Sequence, residues 1–284
     1  MKEFNLQLIE LSTGRALHPT GKFVVTSNGS PIALATYDAN DALNTVPLSI
    51  VGGKVYFRTV ETVNSVDIFG YTDTGYAVNV TGVKAGEVQN IYVDTANMRQ
   101  TFFHPINFST SNTYGDARTI SASAENLTGM YLPNGVLVRA EGTGVHVTTA
   151  ESGKTIDVGL DGSGSGIDDA DGFLDGITLA STGYKAANIG YTIGTNNVWL
   201  DLTGGDSEWT SGALFHPSGT KHAKAEGTDA AAADGNGIYI YASHASVNSG
   251  ANTSQLSYTF AGTPTAVKGY LRITWDIPTV PTYA

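Results

Sequence analysis

The stretch TIDVGLDGSGSGIDDADGFLDGI, residues 155–177, decides the class of fold for its half of the chain. Ile156 and Val158 point one way and Asp157 the other, the period of two that a half-buried strand requires. The GSGSG that follows cannot hold regular structure. Asp168, Asp169, Asp171 and Asp175 then crowd like charges into a segment whose apolar members are Ile167, Phe173 and Leu174. The expectation is a strand that ends in an acidic surface loop pinned by one aromatic.

Two chemistries suit that loop. A calcium site needs several oxygen ligands converging on one point, and Asp169-x-Asp171-Gly172 matches the middle of a calcium loop. With Gly172 as the sharp-turn glycine, however, the first ligand position falls on Ile167 and the bidentate one on Thr178, and neither supplies a carboxylate. Turn chemistry is the preferred reading, with Asp side chains accepting backbone N–H bonds and Gly taking φ > 0. Asp168, Asp169, Asp171 and Asp175 stay as the calcium candidates; no other cofactor is expected.

Outward from this stretch, the composition is that of strands and turns: 34 Gly and 14 Tyr, with only 14% charged residues. A chain of 284 residues suits two domains, each able to bury a core. The net charge of −11 argues against nucleic acid, which needs a basic footprint, and against anionic membrane surfaces. There are no cysteines, so disulfides and thiolate metal sites are excluded. MKEFNLQLIEL at the N-terminus has no apolar run of signal-peptide length, and no stretch reaches 18 apolar residues, so synthesis and folding in the cytoplasm are expected.

In chain order, Phe4, Leu6 and Leu8 alternate with polar residues. Gly21–Thr26 and Ile32–Tyr37 flank Asn28-Gly29, a strong hairpin signal. Gly52-Gly53 opens Lys54–Arg58; Ser65–Phe69, Tyr76–Val80 and Ile91–Asp94 follow as short, evenly spaced strands that read as an antiparallel sandwich over 1–100. Residues 101–130 lose the alternation yet carry Phe102, Phe103, Phe108 and Tyr114. A plain linker would not hold so much aromatic surface, so this reads as an aromatic-rich connector whose side chains pack between domains or on another chain. From 131 to 284, strands near 136–140, 145–149, 177–179, 198–202, 238–242, 256–260 and 270–275 are joined by longer connections, which favours a jelly roll or Greek-key sandwich over a simple meander. The fold class expected is all-β: two antiparallel β-sandwich domains, the first Ig/transthyretin-like and the second jelly-roll-like.

Two resemblances give this a setting. Ala33–Tyr37, Asp38, Asp41, Val46-Pro47-Leu48, Gly52–Phe57 and Ser65–Asp67 resemble a transthyretin-like or immunoglobulin-like module of bacteriophage virion proteins, with Val46 where that module often has Asn. LPNGVLVRAEGTGVHVTTA, TIDVGLDG, DADGFLDGI and STGYKAANIG, over residues 131–188, resemble a family of small phage structural proteins whose genes commonly sit with capsid genes. The resemblance implies a virion component.

Catalytic motifs fare poorly. None of His18, His104, His146, His216, His222 and His244 has metal-ligand spacing. Gly162-Ser163-Gly164-Ser165-Gly166 has the letters of a nucleophile elbow but opens a low-complexity loop instead of a helix. The expected function is therefore non-enzymatic: a phage virion structural protein, a capsid decoration or cement protein, with the major capsid protein or other virion proteins as partners. It would act as a homo-oligomer, a trimer, with Phe102, Phe103, Phe108 and Tyr114 as interface candidates and no catalytic residue. A head or tail fibre that binds a host glycan, and a glycan-active enzyme with paired carboxylates, are the alternatives.

Overall fold

The computed structural model describes residues 1–27, 35–86, 88–108, 120–133, 136–163, 169–186, 239–241, 248–249 and 252–277. All regular structure among them is β-strand. The first half contains β1 (Lys2–Glu10), β2 (Gly21–Ser27), β3 (Leu48–Ile50), β4 (Lys54–Thr59), β5 (Ser65–Thr72), β6 (Ala77–Lys84) and β7 (Val88–Val93). They form two sheets, β4-β1-β7 and β3-β2-β5-β6, in which every pairing is antiparallel except β1 with β7. An immunoglobulin domain orders its strands ABED and CFG. The order here, DAG and CBEF in the same lettering, is the transthyretin-like arrangement.

Alternation explains the core between these sheets. Phe4, Leu6 and Leu8 of β1, Val55 and Phe57 of β4, and Val66 and Ile68 of β5 all face inward and are buried. Phe4 stacks on Phe57 with ring centroids 4.9 Å apart, and Phe23 tilts against the same ring at 5.9 Å. Gly52 and Gly53 turn between β3 and β4 as expected. The Asn28-Gly29 turn lies outside the described residues. At the far end of its expected second arm, Tyr37 bridges Arg58 on β4 and Leu43, not β2.

The second half contains β8 (Arg99–Asn107), β9 (Asn126–Tyr131), β10 (Leu137–Thr149), β11 (Thr155–Ser163), β12 (Asp169–Thr178), β13 (Gly183–Ala186), β14 (Tyr239–Tyr241), β15 (Asn248–Ser249), β16 (Asn252–Ala261) and β17 (Lys268–Asp276). Eight of these form two antiparallel sheets, β8-β17-β10-β13 and β9-β16-β11-β12. Early strands pair with the last two in both sheets, the double Greek key of a jelly roll. The short strands β14 and β15 pair with β10 and β16. The expected strands at 136–140 and 145–149 are one strand, β10, bulged between Arg139 and Gly144. There the Thr143 hydroxyl donates to Arg139 O at 2.6 Å. The expected strand at 198–202 lies outside the described residues.

The aromatic segment is a correction. Its described residues do not connect two domains across a gap; residues 101–107 belong to β8 and 126–130 to β9, both strands of the jelly roll. Ring-rich β8 pairs along its whole length with β17 at the other end of the chain. Its buried side chains then decide how the two sandwiches meet. The outer face of β5 presents Phe69 and Tyr71 to the jelly roll. Tyr71 sits edge-on to Phe102 at 4.9 Å and to Trp275 at 5.3 Å, and Phe69 meets Phe103 at 6.4 Å and Tyr270 at 5.5 Å. Val24, Phe69 and Tyr71 accordingly belong to the same apolar cluster as the jelly-roll core.

Hydrogen bonds cross this seam. Trp275 Nε1–H donates to Gly75 O at 2.7 Å, the Tyr71 hydroxyl donates to Tyr131 O, and Ala77 N–H donates to Gln100 Oε1 at 3.0 Å. Gly75 has φ +93°, and a Cβ there would lie 2.9 Å from Val136 Cγ1, so the turn between β5 and β6 can reach Trp275 only as glycine. With large rings worth about 1.5–3 kcal/mol each on full burial, the seam joins the two sandwiches firmly.

Candidate functional site

The acidic segment is folded differently from its expected form. Asp169–Thr178 is not a loop but strand β12, paired with β11 through Ile156 with Ile177, Val158 with Leu174 and Leu160 with Asp169. β12 spends more residues than β11 over the same span, so it bulges. Phe173 and Leu174, adjacent in sequence, are both fully buried. Their burial overrides the low strand preference of Asp and Gly. Asp175 is exposed and Asp171 half-buried, while Asp168 and the side chain of Asp169 lie outside the described residues. Among the described residues no three His, Asp or Glu side chains are grouped as metal ligands.

Asp157 accepts the Gly176 N–H at 2.7 Å and so pins the bulge. Burial pushes its carboxyl above the ordinary range against that hydrogen bond, and the Asp171 charge adds to the rise. Other carboxylates are held low by turn hydrogen bonds. Asp38 accepts from Ala42 and Asn40 N–H, and Glu151 from Thr265 and Ala266 N–H. These carboxylates close turns and loops.

The interface candidates separate. Phe102 and Phe108 are buried inside this chain, Phe108 against Phe260 at 5.7 Å, so neither can be offered to a second copy. Phe103 is half-buried against Phe69 at the seam, and Tyr114 lies outside the described residues. His104 is buried beside Phe102 and Tyr258 in the jelly-roll core.

Sequence reasoning passed over a different group. On the outward face of the β8-β17-β10-β13 sheet, register aligns Tyr184, His146, Tyr270 and Pro105 in one row and Gly144, Arg272 and Phe103 in the next. The opposite face of these strands, with Val145, Val147, Leu271, Ile273 and Phe102, is core. Phe69 covers the β8 and β17 end of the rows, whereas His146 and Tyr184 at the other end are exposed, Tyr184 at 38%. The Tyr184 ring lies over Gly144, where a Cβ would come within 2.8 Å of Cε2, and its hydroxyl donates to Thr143 O at 3.1 Å. Arg272 places its guanidinium carbon 5.0 Å from the Tyr184 ring centroid. Burial raises the Tyr184 phenol pKa, and the Arg272 charge pulls it back.

Arg272 differs from the arginines around it. Arg58 is paired with Asp41, and Arg99 and Arg139 share Asp276. Arg272 has its Nε buried without a hydrogen-bond partner and no carboxylate partner among the described residues. The sequence signal was present in KGYLRITW, whose alternation puts Tyr270 and Arg272 on one face, but the strands that bring Tyr184 and His146 beside them are 85 or more residues away in the chain. No protein-family model matches the chain, and comparison with curated proteins and with solved structures finds no match either.

Proposed function

We propose that this chain is a non-enzymatic bacteriophage virion structural protein that binds the outer surface of the capsid as a homo-oligomer. The setting comes from the two sequence resemblances. The observation that carries a binding role over a chemical one is the seam: two sandwiches held in one fixed relation, with the perturbed carboxylates spent on closing turns and bulges. A rigid tandem of β domains is suited to bridging neighbouring subunits, and many copies convert modest contacts into avidity. Jelly rolls recur in viral capsid proteins, which supports the reading by fold analogy.

The oligomer contact moves away from the aromatic segment. Among the described residues β7 pairs only with β1, which leaves the other edge of a strand bearing exposed Tyr92 for backbone pairing with a second copy. Purified protein added to phage heads that lack it is expected to bind to a saturating copy number set by capsid symmetry and to stay bound in moderate salt, since apolar and backbone contacts are little screened. Attachment only at the tail would replace this reading with the fibre. Asp157 and Asp171 are two carboxylates close enough for the Asp171 charge to raise the Asp157 pKa. Polysaccharide cleavage abolished by Asp157→Asn would establish the enzyme instead.

A further inference from the structure

We propose that the outward face at Tyr184, His146, Tyr270 and Arg272 is a binding site for a carboxylate-bearing sugar. The inference rests on that face alone and stands whether or not the protein decorates a capsid. Arg272 is a charge held against an aromatic ring, and with its Nε buried it is the terminal Nη1–Nη2 edge of the guanidinium that can meet a ligand. Among the described residues it has no carboxylate, the planar, two-oxygen partner that its fork matches best. The ligand therefore carries an anion of that shape.

The rest of the ligand follows from its neighbours. Tyr184 and Tyr270 lie on either side of His146 in one row across three strands, about 10 Å from end to end at the spacing of paired strands. That span matches one or two pyranose rings, whose apolar faces pack on aromatic side chains while their hydroxyls meet an imidazole. Gly144 keeps the Tyr184 ring flat across β10, because a side chain there would displace it. The site also lies where the jelly roll emerges from under Phe69, at the join of two domains, a common position for ligand sites. Polyanions such as nucleic acid or polyphosphate are disfavoured by the overall charge of −11. A mostly neutral ring bearing a single carboxylate avoids that repulsion.

The test is calorimetric and NMR titration of the full chain with sodium glucuronate and with N-acetylneuraminate, using glucose as the neutral ring and acetate as the ringless carboxylate. At least one acidic sugar is expected to bind with a Kd of about 1 mM, the range for a ligand of this size. Glucose and acetate are expected to bind at least tenfold more weakly, and the acidic sugar that binds identifies a uronic or a sialic acid source. Arg272→Gln and Tyr184→Ala should each lose tenfold or more. Arg272→Lys, which keeps the charge without the fork, should also lose most of the affinity, and Tyr184→Phe, which keeps the ring, should retain it. Wild-type protein that binds neither acidic sugar, or binds acetate or glucose equally well, overturns the proposal. So does undiminished sugar binding in a folded Arg272→Gln variant.

Discussion

The two sandwiches use their sheets differently. The transthyretin-like half closes its core on itself around Phe4, Phe23 and Phe57, and turns the outer face of β5 into a docking surface. The jelly roll draws Val24, Phe69 and Tyr71 from the other half into its own apolar cluster. One half thus has a core complete within itself, whereas the other has a core completed by its neighbour. In a β-sandwich, the residues alternating away from the core are free to become part of another core, and β5 uses both of its faces in this way.

Paired substitutions should expose that difference. Phe57→Ala and Trp275→Ala each remove a fully buried ring, for about 3–5 kcal/mol. Their consequences should differ. Phe57→Ala leaves the seam intact and should lower the melting temperature of both halves together, as a single transition. Trp275→Ala also deletes the hydrogen bond to Gly75 and the Tyr71 contact, and should uncouple the halves. Calorimetry is expected to show one unfolding transition in the wild type and two in Trp275→Ala. Two transitions already present in the wild type would mean that the seam does not couple the domains.

Two carboxylates, Asp38 in the first half and Asp157 in the second, should respond to acid with opposite signs. Asp38, in the first half, has its pKa lowered from 3.8 by backbone hydrogen bonds. Its contribution to stability is present above 3.8 and is lost as pH falls through the lower folded value, so Asp38→Asn should be less stable than wild type at pH 7 and converge with it in acid. Asp157, in the second half, has its pKa raised from 3.8 by burial. Its ionisation opposes folding, a penalty that is absent in acid and grows as pH rises from 3.8 through the folded value. Asp157→Asn, which can still accept the Gly176 N–H, should therefore be at least as stable as wild type at pH 7. Urea unfolding of both variants across pH 2.5–7, a window spanning roughly the carboxylate range, checks the signs; equal signs would remove the contrast.

The smallest effect concerns β12. Its conformation comes from pairing with β11 and from burial of Phe173 and Leu174, so millimolar calcium or a chelator should leave the melting temperature unchanged. A bound ion at a hundredfold excess over its Kd would stabilise by about 2.7 kcal/mol. A calcium-dependent rise of several degrees, lost in Asp171→Ala, would show that a metal shapes this strand.

Alternating apolar residues were enough for the class of fold, and the longer connections of the second half pointed to its jelly roll. Period-two patterns such as Phe4-x-Leu6-x-Leu8 and Ile156-x-Val158 need only local information, because the side chains of one strand alternate whatever it pairs with. The same locality explains the misreadings. Asp-rich and Gly-rich β12 has poor intrinsic strand preference, and only β11 beside it and the core beneath it make it a strand. Phe102 and Phe103 announced that β8 must bury rings, but not against what. Their partners, Tyr71, Phe69 and Trp275, lie between 31 and 173 residues away in the chain. Only the tertiary structure could choose between another subunit and the other half of the same chain, since cross-strand register and sheet-on-sheet packing are set by long-range contacts. The same holds for the face at Tyr184, His146, Tyr270 and Arg272, where three strands distant in sequence leave one arginine without a carboxylate partner among the described residues.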